Sequence, residues 1–229
     1  MRIIPIIPMT QTQAKAVCGS VSRTTKMPCK SYSLPTESCV TGFKMAKIKG
    51  SICASCYADK GNYSMYANTI KPAQFARLDS VTQALENDDN RQLWISAMIA
   101  HIGKDTFFRF HDSGDLQSAD HLGLIVDLCH AMPNVQFWLP TREYGMVKAF
   151  IGSGESIPDN LIVRLSAMYV DKPVIVPKSL QGIKGVTISN VHTNHNQALG
   201  TECIAPQQNG ECRDCRLCWT DAPVTYKIH

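Results

Sequence analysis

The sequence lacks several features that would by themselves assign a protein to a class. No apolar stretch approaches the roughly 18 residues of a membrane span, so the chain is not expected to cross a membrane. The apolar start is interrupted by Pro5 and Pro8 and has no small-residue cleavage site, unlike a secretory signal. No run of five like charges, internal repeat or low-complexity tract is present, which excludes a charged tail and a repeat array. We therefore expect a soluble cytoplasmic protein.

The charge balance of the chain is mild. The net charge is +4 and the isoelectric point is near 8.5, with the charged residues spread along 229 positions. This balance is a poor indication of a nucleic-acid partner, which we therefore do not expect. Because 44% of the residues are hydrophobic, the chain can bury a core without disulfides. The length suits one domain covering residues 1–229.

Cysteine is unusually abundant, with ten residues. Five lie before residue 57, four lie after residue 202, and only Cys129 falls between. In a chain without an export signal, this number indicates metal or redox chemistry instead of disulfides. Cys18 and Cys129 have no cysteine at ligand spacing, and Cys129 is expected in the core.

The chain divides into three segments by pattern. Residues 1–60 are rich in cysteine and proline and are predicted to be mostly loop. Residues 61–199 are predicted to form an α/β partial barrel, and residues 200–229 a second cysteine-rich segment that holds a cluster. In the middle segment we expect two helices over 71–102, helices over 118–131 and 142–151, and strands over 106–111, 135–140, 161–167 and 186–191.

The alternation of strands and helices favours βαβ units and a parallel sheet. Four strands are too few for a closed eight-stranded barrel. The predicted fold class is therefore α/β, a partial (β/α) barrel or open sheet of mostly parallel strands, with cysteine-rich loop segments at both termini.

The tail carries the most specific motif, Cys203-x8-Cys212-x2-Cys215-x2-Cys218. Three cysteines at a spacing of three wrap a short loop around one point, as in the C-x2-C-x2-C run of ferredoxins, and a remote cysteine completes the set. Zinc competes because four thiolates suit both metals. Zinc sites usually pair two separated C-x2-C units, so the run favours an iron–sulfur cluster, which we expect to be of the 4Fe–4S type.

A second set of cysteines lies in the first segment. Cys53 and Cys56 form a C-x2-C pair, and Cys39 lies close enough to join them as metal ligands. Three ligands would leave one iron of a four-iron cluster open to a substrate. Cys29 as a fourth ligand would instead give a closed, structural site, so the two interpretations stand side by side.

Alternation along the predicted strands places Arg109, Gln136, Arg164 and Ser166 on one face of the sheet, opposite an apolar face. Two buried arginines need acidic partners or an anionic ligand. His111-Asp-Ser-Gly-Asp115 follows the first predicted strand, where parallel α/β folds bind ligands. The candidate ligand-binding residues are therefore Arg109, His111, Ser113, Gly114, Asp115 and Arg164.

The motifs around Ser33-Leu-Pro and Glu37-Ser-Cys39, the Cys53-x2-Cys56-Tyr-Ala58 stretch and the cysteine run ending at Trp219 resemble a cysteine-rich family of mycobacteriophage-type gene products of unassigned function. That family is distantly similar to the radical S-adenosylmethionine superfamily, which has a partial (β/α) barrel. The resemblance implies that Cys39, Cys53 and Cys56 hold the cluster, although Lys49 stands four residues before Cys53 where that superfamily has cysteine.

The same resemblance implies that Ser113-Gly-Asp115 binds the amino group of S-adenosylmethionine and that Arg164 meets its carboxylate. The expected function is radical or redox chemistry on an anionic small molecule, with a reductant protein as partner, in the host cytoplasm. The alternative is a zinc-stapled phage protein without catalysis that binds nucleic acid or a host factor through Arg213, Arg216 and Lys227.

Overall fold

The structure is a computed structural model that describes residues 5–194 and 198–228, apart from the side chain of Asn62. Within these ranges an eight-stranded sheet forms its centre. The strands are β1 (Ser22–Arg23), β2 (Lys30–Tyr32), β3 (Phe107–Phe110), β4 (Gln136–Thr141), β5 (Leu161–Ser166), β6 (Val186–His192), β7 (Thr201–Glu202) and β8 (Val224–Lys227).

The order of strands across the sheet follows the chain up to β6, after which β8 lies between β6 and β7. It is β1-β2-β3-β4-β5-β6-β8-β7, in which β2 to β8 are parallel and β1 is antiparallel to β2. The sheet is open, with β1 and β7 at its edges. The α/β class and the mostly parallel sheet are thus confirmed, while the curvature of a partial barrel stays a prediction.

Three parallel strands lie where the sequence predicts loop. The strand β2 falls in the first segment, and β7 and β8 fall in the tail, which brings the parallel strands from the predicted four to seven. All three are too short for an alternating pattern to stand out. They are stabilised by their neighbours, since Ser31 pairs with Arg109 and Asn190 pairs with Thr225.

Seven α-helices are present in the described ranges. They are α1 (Gln11–Cys18), α2 (Val40–Met45), α3 (Asn62–Met65), α4 (Ala67–Ala84), α5 (Asp88–Ile102), α6 (Ala119–Ala131) and α7 (Tyr144–Gly152). Side-chain caps set three of their starts, because Thr10 accepts from the Gln13 amide, Asn87 from the Asn90 amide and Ser118 from the His121 amide. The two helices predicted over 71–102 are confirmed as α4 and α5.

The long helices cover one face of the sheet and build the core there. Phe108, Phe110, Phe137, Leu139 and Val163 point into this core, as the alternation along the strands predicts. The tail loop covers part of the other face. In it, the Trp219 Nε1 donates to the Phe108 carbonyl at 3.0 Å, which fixes the loop to β3.

The inward face of α4 is more polar than its apolar spacing suggests. Phe75 is 42% exposed, whereas Gln74, Arg77 and Ser80 are buried. Arg77 Nη1 donates to the Ser33 hydroxyl at 2.6 Å, and Gln74 Nε2 donates to the Ser113 hydroxyl at 2.6 Å. The helix thus holds the loops after β2 and β3 by hydrogen bonds.

Candidate functional site

A large cavity opens at the carboxyl ends of the parallel strands. Its volume is about 1410 Å³, and it is enclosed by the strand ends on one side and by the cysteine-rich segment after β2 on the other. Parallel α/β folds bind ligands at this end of the sheet. A site for one small molecule usually measures about 300–1,000 Å³, so this cavity has room for more than one molecule.

The face of the sheet opposite the helices forms the floor of this cavity. Of the four residues that alternation places on this face, Arg109 and Ser166 line the cavity. Gln136, at the start of β4, and Arg164, in the middle of β5, do not line it. The floor residues include Arg109, Trp138, Pro140, Ser166, Ser189 and Tyr226.

Cys39, Cys53 and Cys56 line the cavity together and are called the front cysteine set below. The thiols of Cys39 and Cys53 both lie close to Gly42. A Cβ built on Gly42 would lie 3.5 Å from the Sγ of Cys39 and 3.9 Å from that of Cys53. Burial raises the pKa of all three thiols, and neighbouring thiols and acids add to the rise for Cys39 and Cys53. Thiolates at this place therefore need a nearby cation.

Two contacts attach the front cysteine set to the strand ends. The buried Glu143, just after β4, accepts hydrogen bonds from the Thr41 amide at 2.6 Å and the Thr41 hydroxyl at 2.7 Å. The Ile52 amide donates to the Met168 carbonyl just beyond β5 at 3.0 Å. Each contact lies within two residues of a cysteine, so the strands position the thiols.

The turn Ser113-Gly-Asp115 lines the cavity where the sequence predicts it. Asp115 accepts from the Thr141 hydroxyl at 2.6 Å and from the Arg142 amide at 2.8 Å. The Ser113 hydroxyl donates to the Leu34 carbonyl at 2.7 Å. Burial raises the pKa of Asp115 to about 6, against these hydrogen bonds, which lower it. Ser113 is thus occupied by the fold, whereas the Asp115 carboxylate faces the cavity without a cationic partner among the described residues.

His111 combines an unusual backbone with an unpaired side chain. Its φ is 56°, a conformation uncommon for residues other than glycine. It is 3% exposed, lines the cavity, and has no hydrogen-bond partner for either ring nitrogen in the described part of the chain. Its ring lies 5.4 Å from the ring of the buried His121. Burial, with His121 and Arg109 nearby, lowers the pKa of His111 well below its ordinary value.

The Arg109 guanidinium reaches the cavity without forming an ion pair with an acidic side chain of the described residues. Its guanidinium lies 4.4 Å from the centre of the Trp138 ring, which offers a cation–π contact. Nη1 contacts the Met27 sulfur at 3.1 Å, Nη2 contacts the Tyr57 hydroxyl at 3.4 Å, and Nε has no partner within the described ranges. The acidic partner that the sequence leaves open for this residue is not among its contacts.

Arg164 is fully buried, and its contacts are with the tail. Nη1 donates to the Ile188 and Ala222 carbonyls, both at 2.9 Å, and Nη2 donates to the Thr220 carbonyl at 2.8 Å. It lies on the predicted face of the sheet, but backbone carbonyls take the place of the expected acids or anion. Because it does not line the cavity, the structure does not bring it to a cofactor there.

The four tail cysteines, Cys203, Cys212, Cys215 and Cys218, line one small cavity of their own and are called the rear cysteine set below. The lining is otherwise apolar, with Trp219 and Val224 among its residues. Burial raises the pKa of the Cys203 and Cys212 thiols and raises that of Cys218 to about 11. The four cysteines that the sequence singles out thus line one cavity.

The remaining three cysteines lie elsewhere. Cys29 packs with Trp138, Trp219 and Cys218. The structure therefore places it beside the rear set, and not beside the front set as a fourth ligand. Cys18 and Cys129 are buried in the core, and the Cys18 thiol donates to the Ala14 carbonyl at 3.3 Å. The expectation that Cys129 is a core residue is confirmed.

Several site residues are not on the list that the sequence suggests. They are Trp138, Arg142, Glu143 and Tyr226. The alternation along β4 already places Trp138 on the polar face, and Arg142 and Glu143 directly follow that strand. Tyr226 lies on β8, a strand that the sequence does not reveal, so no local signal marks it.

The described residues contain neither a ready-made metal-binding group nor a membrane-spanning helix. No group of three or more His, Cys, Asp or Glu side chains in residues 5–194 and 198–228 is arranged to hold a metal ion. The rear thiols therefore share a cavity without surrounding a single point. In the same ranges, no helix is both long and apolar enough to cross a membrane.

Comparison with known proteins identifies the family. No curated protein and no solved structure matches the chain. The model of one family, described as Gene product 88, matches residues 8–221. This match confirms the resemblance to phage gene products, and the similarity to the radical S-adenosylmethionine superfamily stays a prediction. Because the match covers nearly the whole sequence, the chain belongs to the Gene product 88 family of phage proteins.

Proposed function

We propose that this phage protein binds iron–sulfur clusters through its front and rear cysteine sets and performs radical or redox chemistry on a small molecule. The observation that carries the proposal is that Cys39, Cys53 and Cys56, from two separate turns, line one cavity at the ligand-binding end of a parallel sheet. Three thiols beside open space suit a cluster with one iron left for a ligand.

The front set fits such a cluster by its surroundings. Gly42 leaves no room for a side chain, since a Cβ there would lie 2.8 Å from the Cys39 Cβ. The thiols are largely desolvated, which disfavours free thiolates and favours bound metal. Arg142, whose charge lowers the pKa of Cys53 and Cys56, supplies a cation that offsets the negative charge of a thiolate cluster.

The rear set fits a second, closed cluster. All four of its thiols line one apolar cavity, and Arg164 ties the adjoining loop to the sheet. Burial in apolar surroundings and hydrogen bonds to the ligating sulfurs are the features that set the potential of such clusters. The Tyr226 hydroxyl lies 3.4 Å from the Cys218 sulfur and is in place for such a hydrogen bond.

The cofactor proposed for the front site is S-adenosylmethionine. When bound, a cluster with an open iron would supply one electron to this cofactor. Asp115 is the residue that we expect to bind the amino group, because an ionised carboxylate has about four acceptor positions and three are used here. Arg142, which lines the cavity, replaces Arg164 as the arginine in reach of a ligand.

The test is metal analysis of anaerobically purified protein. Two four-iron clusters predict roughly eight iron and eight sulfide per chain, a brown colour and a paramagnetic signal on reduction. Cys53→Ser should remove roughly half of the iron, and Cys18→Ser, a cysteine outside both sets, should remove none. Protein that takes up neither iron nor sulfide after anaerobic reconstitution would contradict the proposal.

Zinc in the rear set is the second candidate, favoured by the small size of that cavity. Nucleic-acid binding by such a zinc-stapled protein has less support, because Arg213 and Arg216 contact other residues of the protein. Arg216 lies over the Phe107 ring at 5.2 Å, and Arg213 lies 3.8 Å from Glu211. Colourless protein with one zinc per chain would favour this candidate over iron.

A further inference from the structure

The cavity floor carries a cluster of unpaired hydrogen-bond donors. Arg109 and Trp138 are direct neighbours across β3 and β4, and His111 follows two residues after Arg109. Within the described residues, Arg109 Nε, Trp138 Nε1 and both ring nitrogens of His111 have no partner. Trp138 is 6% exposed and His111 3%, and all three line the cavity. Such groups are costly to bury unless a ligand satisfies them.

The charge of this cluster identifies the kind of ligand. A guanidinium and an indole can only donate, and an imidazole donates through at least one nitrogen. An ionised oxygen group accepts several such bonds at once, and a guanidinium edge binds it with two parallel bonds. A neutral carbonyl oxygen also accepts hydrogen bonds from these donors but leaves the guanidinium charge uncompensated, so an anion fits the cluster better.

No acid of the protein forms an ion pair with Arg109 in the described residues. Against burial, which lowers it, the nearby Tyr57 and Asp112 raise the pKa of Arg109, but the Asp112 carboxylate accepts from the Tyr63 hydroxyl at 2.8 Å and lies beyond ion-pair distance of the guanidinium. Asp115 accepts instead from Thr141, the Arg142 amide and the Leu116 amide. Asp112 therefore offsets part of the Arg109 charge, and the unpaired Nε is left for an external anion.

The backbone at His111 is a second indication. A non-glycine residue with a φ of 56° is strained, and such strain persists where the surrounding structure requires it. Here the Tyr32 carbonyl accepts from the His111 amide at 2.9 Å, which continues the β2–β3 pairing through the turn. The imidazole of this strained residue lies 5.4 Å from the His121 ring and lines the same cavity as Arg109.

We propose that Arg109, His111 and Trp138 form an oxyanion-binding subsite for the carboxylate or phosphate group of the substrate. Its identification as a substrate site rests on the proposed function, whereas the binding itself needs no cluster. The subsite is distinct from the front cysteine set, since its residues belong to β3, β4 and the turn after β3, whereas the front cysteines belong to the segment between β2 and α3. The cavity is large enough for a cofactor at the front set and a substrate on the floor.

The test is titration of the full-length protein with inorganic phosphate and, separately, with acetate, followed by calorimetry and by tryptophan fluorescence. Arg109→Gln should weaken binding of the preferred anion at least about tenfold, because it removes a charged, two-bond contact. Arg109→Lys keeps the charge but loses the planar guanidinium that forms two parallel hydrogen bonds, so we expect binding to weaken by an intermediate factor of about 3–10. Arg23→Gln, at an exposed arginine on β1, is the matched control and should bind like the wild type.

Which anion binds more tightly identifies the substrate group. Absence of binding of both anions by the wild type, or equal binding by wild type and Arg109→Gln, would overturn the proposal. If Arg109→Gln is misfolded by circular dichroism, His111→Asn carries the test, because asparagine tolerates a positive φ. Iron and sulfide measured on the same samples show separately whether the cluster proposal holds, since phosphate binding by iron-free protein would leave the subsite intact.

Discussion

Asp115 has a structural role in the turn after β3 and a proposed role in binding the cofactor. Its carboxylate joins the turn after β3 to the end of β4 and also faces the cavity. In cluster-loaded, reduced protein, S-adenosylmethionine should change the electron paramagnetic resonance spectrum. Asp115→Asn should weaken that effect about tenfold or more, because a charged hydrogen bond is worth about 1.5–3 kcal/mol.

Asparagine at this position keeps one oxygen for the Thr141 hydroxyl, so the turn itself should persist. Asp115→Ala, which also removes the turn contacts, shows how much of the loss is structural. An unchanged spectrum at saturating cofactor in the wild type would count against S-adenosylmethionine and leave cluster binding untouched.

Replacing the sulfur atom of Cys215 tests whether the rear set holds a cluster. It is the middle thiol of the tail run and lines the same small cavity as the other three. Cys215→Ser should remove the iron and sulfide of one cluster, roughly half of the total, while the front-site signal remains. Full iron content in this variant would show that the rear set does not hold the cluster.

Among the larger elements, the turn after β3 depends on Gly114. Its φ is 74°, and a Cβ there would lie 2.6 Å from the Leu34 Cβ and 2.7 Å from the Leu34 carbonyl oxygen. Gly114→Ala should cost the penalty of a positive φ, about 1–2 kcal/mol, and about 1–3 kcal/mol more for the clash. Chemical denaturation measures the sum.

Gly182 provides a matched control for this prediction. It has nearly the same φ, 72°, but a Cβ there would meet nothing within 4 Å. Gly182→Ala should therefore show the backbone penalty alone. Equal losses for the two variants would mean that the loop after β2 moves away from the turn without resistance.

Besides the pairing of β8 with β6 and the Trp219 hydrogen bond, the tail is attached to the sheet through Arg164. Arg164→Leu leaves the carbonyls of Ala222 and Thr220 without their donor in a buried place, which should lower the free energy of unfolding by about 3 kcal/mol or more. We also expect the rear cluster to become more easily released. Limited proteolysis near residues 203–218 and the rate of iron release to a chelator would measure this, with Arg23→Leu as the surface control.

For the whole molecule, acid sensitivity is predicted from three buried histidines whose pKa burial lowers, His101, His111 and His121, of which the last two are the most deeply buried. Burial lowers the pKa of His121 to about 3 and that of His111 well below its ordinary value. Below pH 6.5 the unfolded chain takes up protons on both and the native state does not, so stability falls with falling pH. The slope is up to about 1.4 kcal/mol per pH unit for each group.

His121→Gln should remove one of these two contributions. Denaturation at several values between pH 4.5 and 7 compares its slope with that of the wild type. Asp115 acts in the opposite direction between about pH 4 and 6, because its native pKa is raised. The difference between the two proteins cancels that effect, and identical slopes would show that His121 is not buried in its neutral form.

Much of the fold could be predicted because the long elements have strong periodicity and clear caps. The strands β3 to β6 and the helices α4 to α7 lie where the sequence places them, within a few residues. The short strands β2 and β8 could not be predicted, because their pairing with distant neighbours stabilises them. The exposed Phe75 shows the same limit, since hydrogen bonds from Gln74 and Arg77 turn the polar side of α4 inward.

By itself, the sequence determined that this protein has two groups of cysteines, an alternating α/β segment and a polar sheet face, because spacing and periodicity are local properties. Only the tertiary structure decided which of those residues meet. Within the described residues, it placed Cys29 beside the rear set, gave Arg164 to the tail carbonyls, and left Arg109 Nε and both ring nitrogens of His111 without a partner at the cavity. Contacts between residues far apart in the chain depend on how the strands are ordered and packed, and no local pattern encodes them.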